Sequence, residues 1–236
     1  MRIVILAAIA LTGCNDGSPP AEPAGRAAVR DFAERDFTAV ELDGLDRLDI
    51  RTGATFAVRA QGDATALERL DVRRDGDTLH VGRKPAKWRW TGDRTPAIRI
   101  EVTMPSIRAA TLRGSGDIGI DRVQGDFTAA LDGSGNIIVG QLRGRQARLN
   151  LGGSGTIAAA GAVETLALSV AGSGRIDAPQ LRAGSADVSV AGSGDAVADV
   201  NGAARVTLAG SGSVTLGRNA RCTVAKTGSG DVHCGG

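Results

Sequence analysis

The residues that most often perform chemistry in proteins are few in this chain and widely separated. The histidines are His80 and His233, and no serine or cysteine stands in a recognisable nucleophile context. A serine on a strained nucleophile turn shows the spacing Gly-x-Ser-x-Gly, whereas the serines here recur in Gly-Ser-Gly tripeptides. The sequence therefore predicts no catalytic residue and a protein that is not an enzyme.

Acidic or amide side chains follow several of these tripeptides, an arrangement that could hold calcium. They are Asp117, Asn136, Asp195 and Asp231. In the other copies the same position holds Thr156, Arg175 and Ser213, so a continuous ladder of calcium ions would lack ligands. At most one adventitious site near Asp195 is left. We therefore predict no metal centre and no cofactor.

Carboxylates aligned on one surface would instead indicate an enzyme that cleaves polysaccharides. The outward carboxylates of the repeats do not share one repeat position and are interpreted as solvated surface. They are Asp121, Asp132, Glu164, Asp177, Asp187 and Asp199. A carbohydrate-active β-helix enzyme stays open as an alternative.

The first cysteine indicates a membrane anchor. An apolar run from Ile3 to Leu11, too short to span a bilayer, is followed by Leu11-Thr12-Gly13-Cys14. These four residues resemble the lipobox of bacterial lipoproteins. Residues 1–13 are predicted to be a signal peptide, and Cys14 the lipidated residue that attaches the protein to a membrane. Proline and glycine in residues 14–30 predict a flexible linker.

The strongest pattern in the sequence is an internal repeat. Gly-Ser-Gly begins at Gly114, Gly133, Gly153, Gly172, Gly192, Gly210 and Gly228, with spacings of 18–20 residues. Apolar residues alternate with polar ones on both sides of each tripeptide, which is typical of strands with one buried face. Stacked coils bury that face, so residues 107–236 are predicted to form a β-solenoid with glycine at its corners.

The other two cysteines fall in the last repeat. Cys234 holds the inward position occupied by Leu216 one coil earlier, and Cys222 is in phase with Val224. Both sulfur atoms are therefore predicted to face the core. In an oxidising compartment the expected outcome is a Cys222–Cys234 disulfide, the alternative being two buried free thiols.

Residues 31–106 lack the tripeptide but contain strand-like runs, and are predicted to form an N-terminal β region that caps the solenoid. The runs are Phe37 to Leu42, Leu45 to Ile50, Phe56 to Ala60, Thr78 to Val81 and Ile98 to Val102. Trp88 and Trp90 lie between them and would share one side of an extended segment. They could contact a ligand or partner, or seal the junction with the first coil.

Charge and aromatic content exclude some partners. The formal net charge is +2, from 28 basic and 26 acidic residues, and the chain has no tyrosine. Neither a basic patch nor a series of stacking rings is present, so nucleic acid is not a predicted partner.

Several of these segments resemble the putative auto-transporter adhesin head GIN domain family. They are the lipobox, Val102 to Pro105, the run Leu112 to Ile118 and the run Lys226 to Val232. The resemblance implies a right-handed, single-stranded β-helix in a bacterial envelope protein. We expect a non-enzymatic protein that mediates adhesion or scaffolding, with envelope glycans or other envelope proteins as partners. A periplasmic binding or envelope-stress module is a further alternative.

Overall fold

The computed structural model of the chain describes residues 26–84 and 96–235. It is nearly all β, with 72% strand and 3% helix, and forms a β-solenoid of about seven turns. The predicted fold class is confirmed. Within these two ranges no helix is long and apolar enough to cross a bilayer.

The N-terminal half contains seven strands and one short helix. They are β1 (Ala27–Phe32), β2 (Ala39–Gly44), β3 (Arg47–Thr52), β4 (Ala57–Asp63), α1 (Ala64–Arg69), β5 (Leu70–Asp75), β6 (Thr78–Arg83) and β7 (Arg99–Met104). The helix begins where the Asp63 carboxylate accepts a hydrogen bond from the Ala66 backbone N–H at 3.0 Å, which satisfies one of its free donors.

The repeats supply the remaining strands. They are β8 (Ala109–Gly114), β9 (Asp117–Gln124), β10 (Phe127–Gly133), β11 (Asn136–Gly153), β12 (Thr156–Gly172), β13 (Arg175–Gly192), β14 (Asp195–Val200), β15 (Ala203–Gly210), β16 (Ser213–Thr215), β17 (Arg221–Thr227) and β18 (Asp231–His233). Strands β11, β12 and β13 each run through a mid-repeat turn and contribute to both faces of the solenoid.

Parallel strand pairing builds two faces. The incoming face consists of β6, β2 and the strands that lead into the Gly-Ser-Gly corners, which are β8, β10, the second halves of β11 to β13, β15 and β17. The outgoing face consists of those that leave the corners: β7, β3, β9, the first halves of β11 to β13, β14, β16 and β18.

The first coil in sequence is not the first coil in space. Strands β2 and β3 are flanked on one side by β6 and β7 and on the other by β8 and β9. Beyond β6 and β7 the pairing becomes antiparallel, with β5 against β6, β4 against β7 and β1 against β4. Residues 31–106 thus contain solenoid coils as well as a cover, and strand pairing runs continuously from them into the repeats.

The core between the faces consists of the alternating apolar residues predicted to point inward. On the outgoing face these are Ile118, Ile137, Ile157, Ile176, Ala196 and Val214, all at most 1% exposed. Burial of each large aliphatic side chain contributes about 1.5–3 kcal/mol. Every coil adds the same layer to the previous one, so the core is a continuous column.

One buried charge interrupts this apolar interior, and the sequence pattern did not predict it. Asp46 is fully buried at the first corner, where later coils have glycine. Its carboxylate accepts hydrogen bonds from Arg83 Nε at 2.9 Å and from the Ile98 backbone N–H at 2.7 Å. The hydrogen bond to Asp46 raises the pKa of Arg83. The pair joins the first coil to both strands of its N-terminal neighbour.

Candidate functional site

The Gly-Ser-Gly corners stack directly on one another, and their glycines are required by the backbone. The first glycine of all seven tripeptides has a positive φ, between +105° and +140°. A Cβ at Gly133 or Gly153 would overlap the carbonyl oxygen of the glycine in the preceding coil. The predicted reason for glycine at the corners is therefore confirmed.

The serines of the same tripeptides have a different environment. The backbone N–H of Ser134 donates to the Gly114 carbonyl at 2.9 Å, and Ser154 donates to Gly133 at the same distance. All seven serines are exposed. Within the described ranges, no side-chain hydrogen bond involves their hydroxyl groups. We call this column of Ser115, Ser134, Ser154, Ser173, Ser193, Ser211 and Ser229 the serine ridge.

The incoming face has one outward column of short side chains beside the ridge. Its central outward column is Thr111, Ala130, Asn150, Ser169, Ser189 and Thr207. In the part of the chain that the structure describes, the polar members of this column have no side-chain hydrogen bond. Two shallow depressions of about 320 and 250 Å³ lie on this face, the larger beside Thr111, Asp132, Asn150 and Ser169.

The outgoing face differs because its polar side chains bond to one another. Asn136 donates to Asp117 at 2.8 Å, and Arg175 forms an ion pair with Asp195 at 2.6 Å. The hydroxyl of Ser213 donates to the other oxygen of Asp195 at 2.7 Å. The carboxylate of Asp195 is thus already bonded to side chains of the two neighbouring coils. No group of three metal-ligating side chains occurs in the described residues.

The outward carboxylates are distributed over both faces and the mid-repeat turn. Asp121 accepts from the Thr52 backbone N–H at 3.0 Å, and Asp199 lies 3.7 Å from Arg182. Asp187 faces Arg205 at 3.7 Å. These contacts link adjacent coils, and the structure does not bring the carboxylates together at one point.

The two histidines lie at opposite ends of the solenoid. His80 Nδ1 is 3.6 Å from Glu41 Oε1 on the incoming face, and Arg113 contacts the same carboxylate. Both His80 and Glu41 are mostly covered, with 20% and 16% of their side chains exposed. His233 is exposed on the last coil. The Glu41 cluster connects β6, β2 and β8, so its contacts join three neighbouring strands.

The predicted disulfide is present between Cys222 and Cys234. The two residues are 12 positions apart, with Cα atoms separated by 6.1 Å. Cys222 is paired with the buried Ala204 of the coil before, in the predicted inward phase. The bond closes the last coil at the end opposite its Gly-Ser-Gly corner.

Three predicted features lie outside the described residues. They are the signal peptide, the lipidation site Cys14 with the start of its linker, and the pair Trp88 and Trp90. The assignments of anchor and of ligand or partner contact at these positions stay predictions.

The comparison with protein families decides the assignment. The model of the family described as putative auto-transporter adhesin, head GIN domain matches residues 36–220. This chain belongs to that family. No curated protein matches it. The resemblance found in the corner sequences and the repeat period is therefore confirmed.

Several solved structures share the fold. A putative adhesin from Bacteroides fragilis superposes with a TM-score of 0.81 at 20% identity, covering 89% of this chain and 98% of that one. A putative lipid binding protein from Parabacteroides distasonis gives 0.70 at 21% identity, covering 89% and 96%. A putative adhesin from Parabacteroides merdae gives 0.68 at 18%, with the same coverage. At these identities the likeness concerns the fold.

Proposed function

We propose that this head GIN protein is a non-enzymatic, lipid-anchored protein of the bacterial envelope that binds envelope polysaccharide or another envelope component. Family membership favours adhesion or binding at the envelope or cell surface, because the family and its structural neighbours are described in those terms. The finer assignment to a glycan rests on the chemistry of the exposed surface.

The observation that carries this proposal is the serine ridge. Seven hydroxyl groups recur at one corner, although the fold uses only the backbone of those residues. Neighbouring hydroxyls are separated by about one strand spacing, roughly 4.8 Å. A regular row of donors and acceptors suits a polymer that has hydroxyl groups along its length, such as a polysaccharide. The unbonded Thr, Ser and Asn side chains of the incoming face extend the same chemistry beside the ridge.

The test is a binding screen of the Cys14→Ser chain against purified envelope glycans and whole cells. Lipid vesicles are included because one structural neighbour is described as lipid binding. We expect saturable glycan binding, with no cleavage products by mass spectrometry. Cleavage would establish the carbohydrate-active enzyme alternative and direct attention to the outward carboxylates.

A matched pair of variants tests the ridge itself. The first variant removes three ridge hydroxyls through the substitutions Ser134→Ala, Ser154→Ala and Ser173→Ala. We expect it to bind at least about tenfold more weakly than wild type, since each net hydrogen bond contributes about 0.5–1.5 kcal/mol. Gln124→Ala, Gln141→Ala and Gln180→Ala remove three exposed amides near the mid-repeat turn and serve as the control. Equal affinities for the two triple variants would place the binding surface elsewhere.

The anchor is tested separately. Wild-type protein expressed in a bacterial host is expected in the membrane fraction and to incorporate labelled fatty acid. Cys14→Ser should incorporate no label, because it lacks the thiol to which the acyl groups are attached. Incorporation of labelled fatty acid by the Cys14→Ser protein would contradict lipidation at this residue.

A further inference from the structure

The last coil that the structure describes has an unpaired strand edge on each face. Strand β17 pairs only with β15, and β18 pairs only with β16, among the described residues. The other end is covered by β1, β4, β5 and α1. Unpaired strand edges are templates for association with further strands, so this end requires protection.

At this end, a column of inward-pointing aliphatic side chains is followed by a lysine. On the incoming face each coil contributes a buried branched aliphatic residue to one column: Leu42, Leu112, Leu131, Leu151, Val170, Val190 and Leu208. The next position in register is Lys226. Its Nζ donates a hydrogen bond to the Gly230 carbonyl at 2.8 Å, across the last corner. The ammonium group therefore lies at the end of the apolar column.

The surroundings of Lys226 would otherwise favour association. Val224 on the same strand is 46% exposed, and Val232 on β18 is partly buried. These side chains and two unpaired strand edges form one surface with the cross-section of a coil. A partner that pairs with both edges at once needs the same width and corner spacing, which a second copy of this chain has.

The second copy has this width and corner spacing at its own C-terminal end. Its N-terminal end also has strands with a free edge, β1 and β5, but they are paired antiparallel to their neighbours and are not joined by a Gly-Ser-Gly corner. An end-to-end contact is therefore isologous and brings two Lys226 residues to one interface. The described residues next to Lys226 offer the Gly230 carbonyl but no carboxylate within ion-pair distance. Desolvation and mutual repulsion of two ammonium groups oppose the contact.

We propose that Lys226 is a gatekeeper that prevents the open end of the solenoid from pairing with the same end of a second copy. The last coil is thus a capping coil, and its outer surface is a latent self-association interface. Terminal repeats of other stacked folds likewise require a polar outer surface.

The experiment compares Lys226→Leu, which continues the column of Leu208, with Lys226→Arg, which keeps the cation. Molar mass is measured by sedimentation equilibrium over a concentration series, and the maximum dimension by small-angle X-ray scattering. Wild type and Lys226→Arg should remain monomeric. Lys226→Leu should approach twice the monomer mass as concentration rises, with a maximum dimension close to double. A monomeric Lys226→Leu protein at every concentration would overturn the proposal.

Two further variants test whether the Lys226→Leu protein associates because it misfolds, and whether it associates through this end of the solenoid. Lys226→Gln removes the charge but keeps a donor for Gly230, and it should associate more weakly than Lys226→Leu. Adding Val224→Lys to Lys226→Leu returns a cation to the same end and should restore the monomer. A Lys226→Leu dimer that persists with Val224→Lys, or shapeless aggregation of both neutral variants, would also overturn the proposal.

Discussion

At the scale of single residues, the glycines and the serine of the corner tripeptide have different roles. The backbone of Gly153 has a φ of +105°, and a Cβ there would overlap the Gly133 carbonyl, whereas the neighbouring Ser154 is exposed and its hydroxyl is not used by the described fold. We expect Gly153→Ala to lower the free energy of unfolding by at least about 2 kcal/mol. Ser154→Ala should change it by less than about 0.5 kcal/mol. Urea denaturation of both variants gives the comparison, and equal losses would contradict this division.

Asp46 provides a second residue-scale prediction. It is fully buried and bonded to Arg83 and to the Ile98 N–H. Asp46→Asn should lower the free energy of unfolding by about 3 kcal/mol, since the mostly covered guanidinium group of Arg83 then lacks its counter-charge. Asp187→Asn, which removes one partner of the exposed pair with Arg205, should cost less than about 1 kcal/mol. Similar losses in urea denaturation would show that the Asp46 pair is effectively solvated.

Asp31 and Arg59 give a dependence on pH. Their hydrogen bond, at 2.7 Å, lowers the pKa of the Asp31 carboxyl, and both side chains are exposed. A lowered folded-state pKa means that the pair stabilises β1 above the unfolded pKa of about 4. That stabilisation is lost as the pH falls through the lower folded value. The hydrogen-exchange protection factors of β1, which compare the measured rate with the intrinsic rate at each pH, should therefore fall below pH 4 in wild type, and less so in Asp31→Asn. The difference should diminish in high salt.

At the scale of elements, strands with a buried face could be predicted and strands without one could not. The runs predicted from Phe37 to Leu42 and from Leu45 to Ile50 correspond to β2 and β3, with bounds shifted by about two residues. The sequence does not predict strand β1, because its side chains are exposed or only partly buried and show no apolar alternation. It does not predict β5 either, because the second half of that strand is charged and exposed.

The first corner explains why β2 and β3 were not recognised as solenoid strands. Gly44 keeps the positive φ of the later corners, but Leu45 and Asp46 replace Ser and Gly. On its N-terminal side this corner meets Arg83 and Ile98, so a carboxylate replaces the glycine needed elsewhere for close backbone contact. The tripeptide therefore reports contact with a like corner on the N-terminal side, which this position lacks.

The last coil yields a prediction at the same scale. The Cys222–Cys234 disulfide closes a loop of 12 residues, and such a loop contributes up to about 3 kcal/mol in the chain-entropy description. We expect Cys222→Ser with Cys234→Ser to accelerate hydrogen exchange in β17 and β18. Protection in β11 to β13 should be unchanged, because each coil contacts mainly its neighbours. Uniform loss of protection would show that the solenoid unfolds as one unit.

At the scale of the whole molecule, the middle coils are interchangeable layers. Removal of residues 133–152 joins Asp132 to Gly153 and deletes one complete coil, because Gly133 and Gly153 are paired in register. The shortened protein should remain folded, with a lower free energy of unfolding and a smaller radius of gyration. Removal of residues 133–142 deletes half a coil and exchanges the faces of the strands that follow. Circular dichroism should show folded β structure only for the complete-coil deletion; similar spectra for both would contradict the layered description.

The placement of the first coil also determines how the molecule responds to mechanical load. A force applied at the N-terminus acts first on β1, which pairs with one described strand, β4, and contacts helix α1. It then reaches β2, whose backbone is hydrogen-bonded along both edges, to β6 and to β8. Extraction of β2 requires both ladders to rupture together, whereas β1 can detach by itself. Unfolding under tension should therefore pause once β1 has detached. The repeats that follow β2 should stay folded at that force, while the chain before β2 extends.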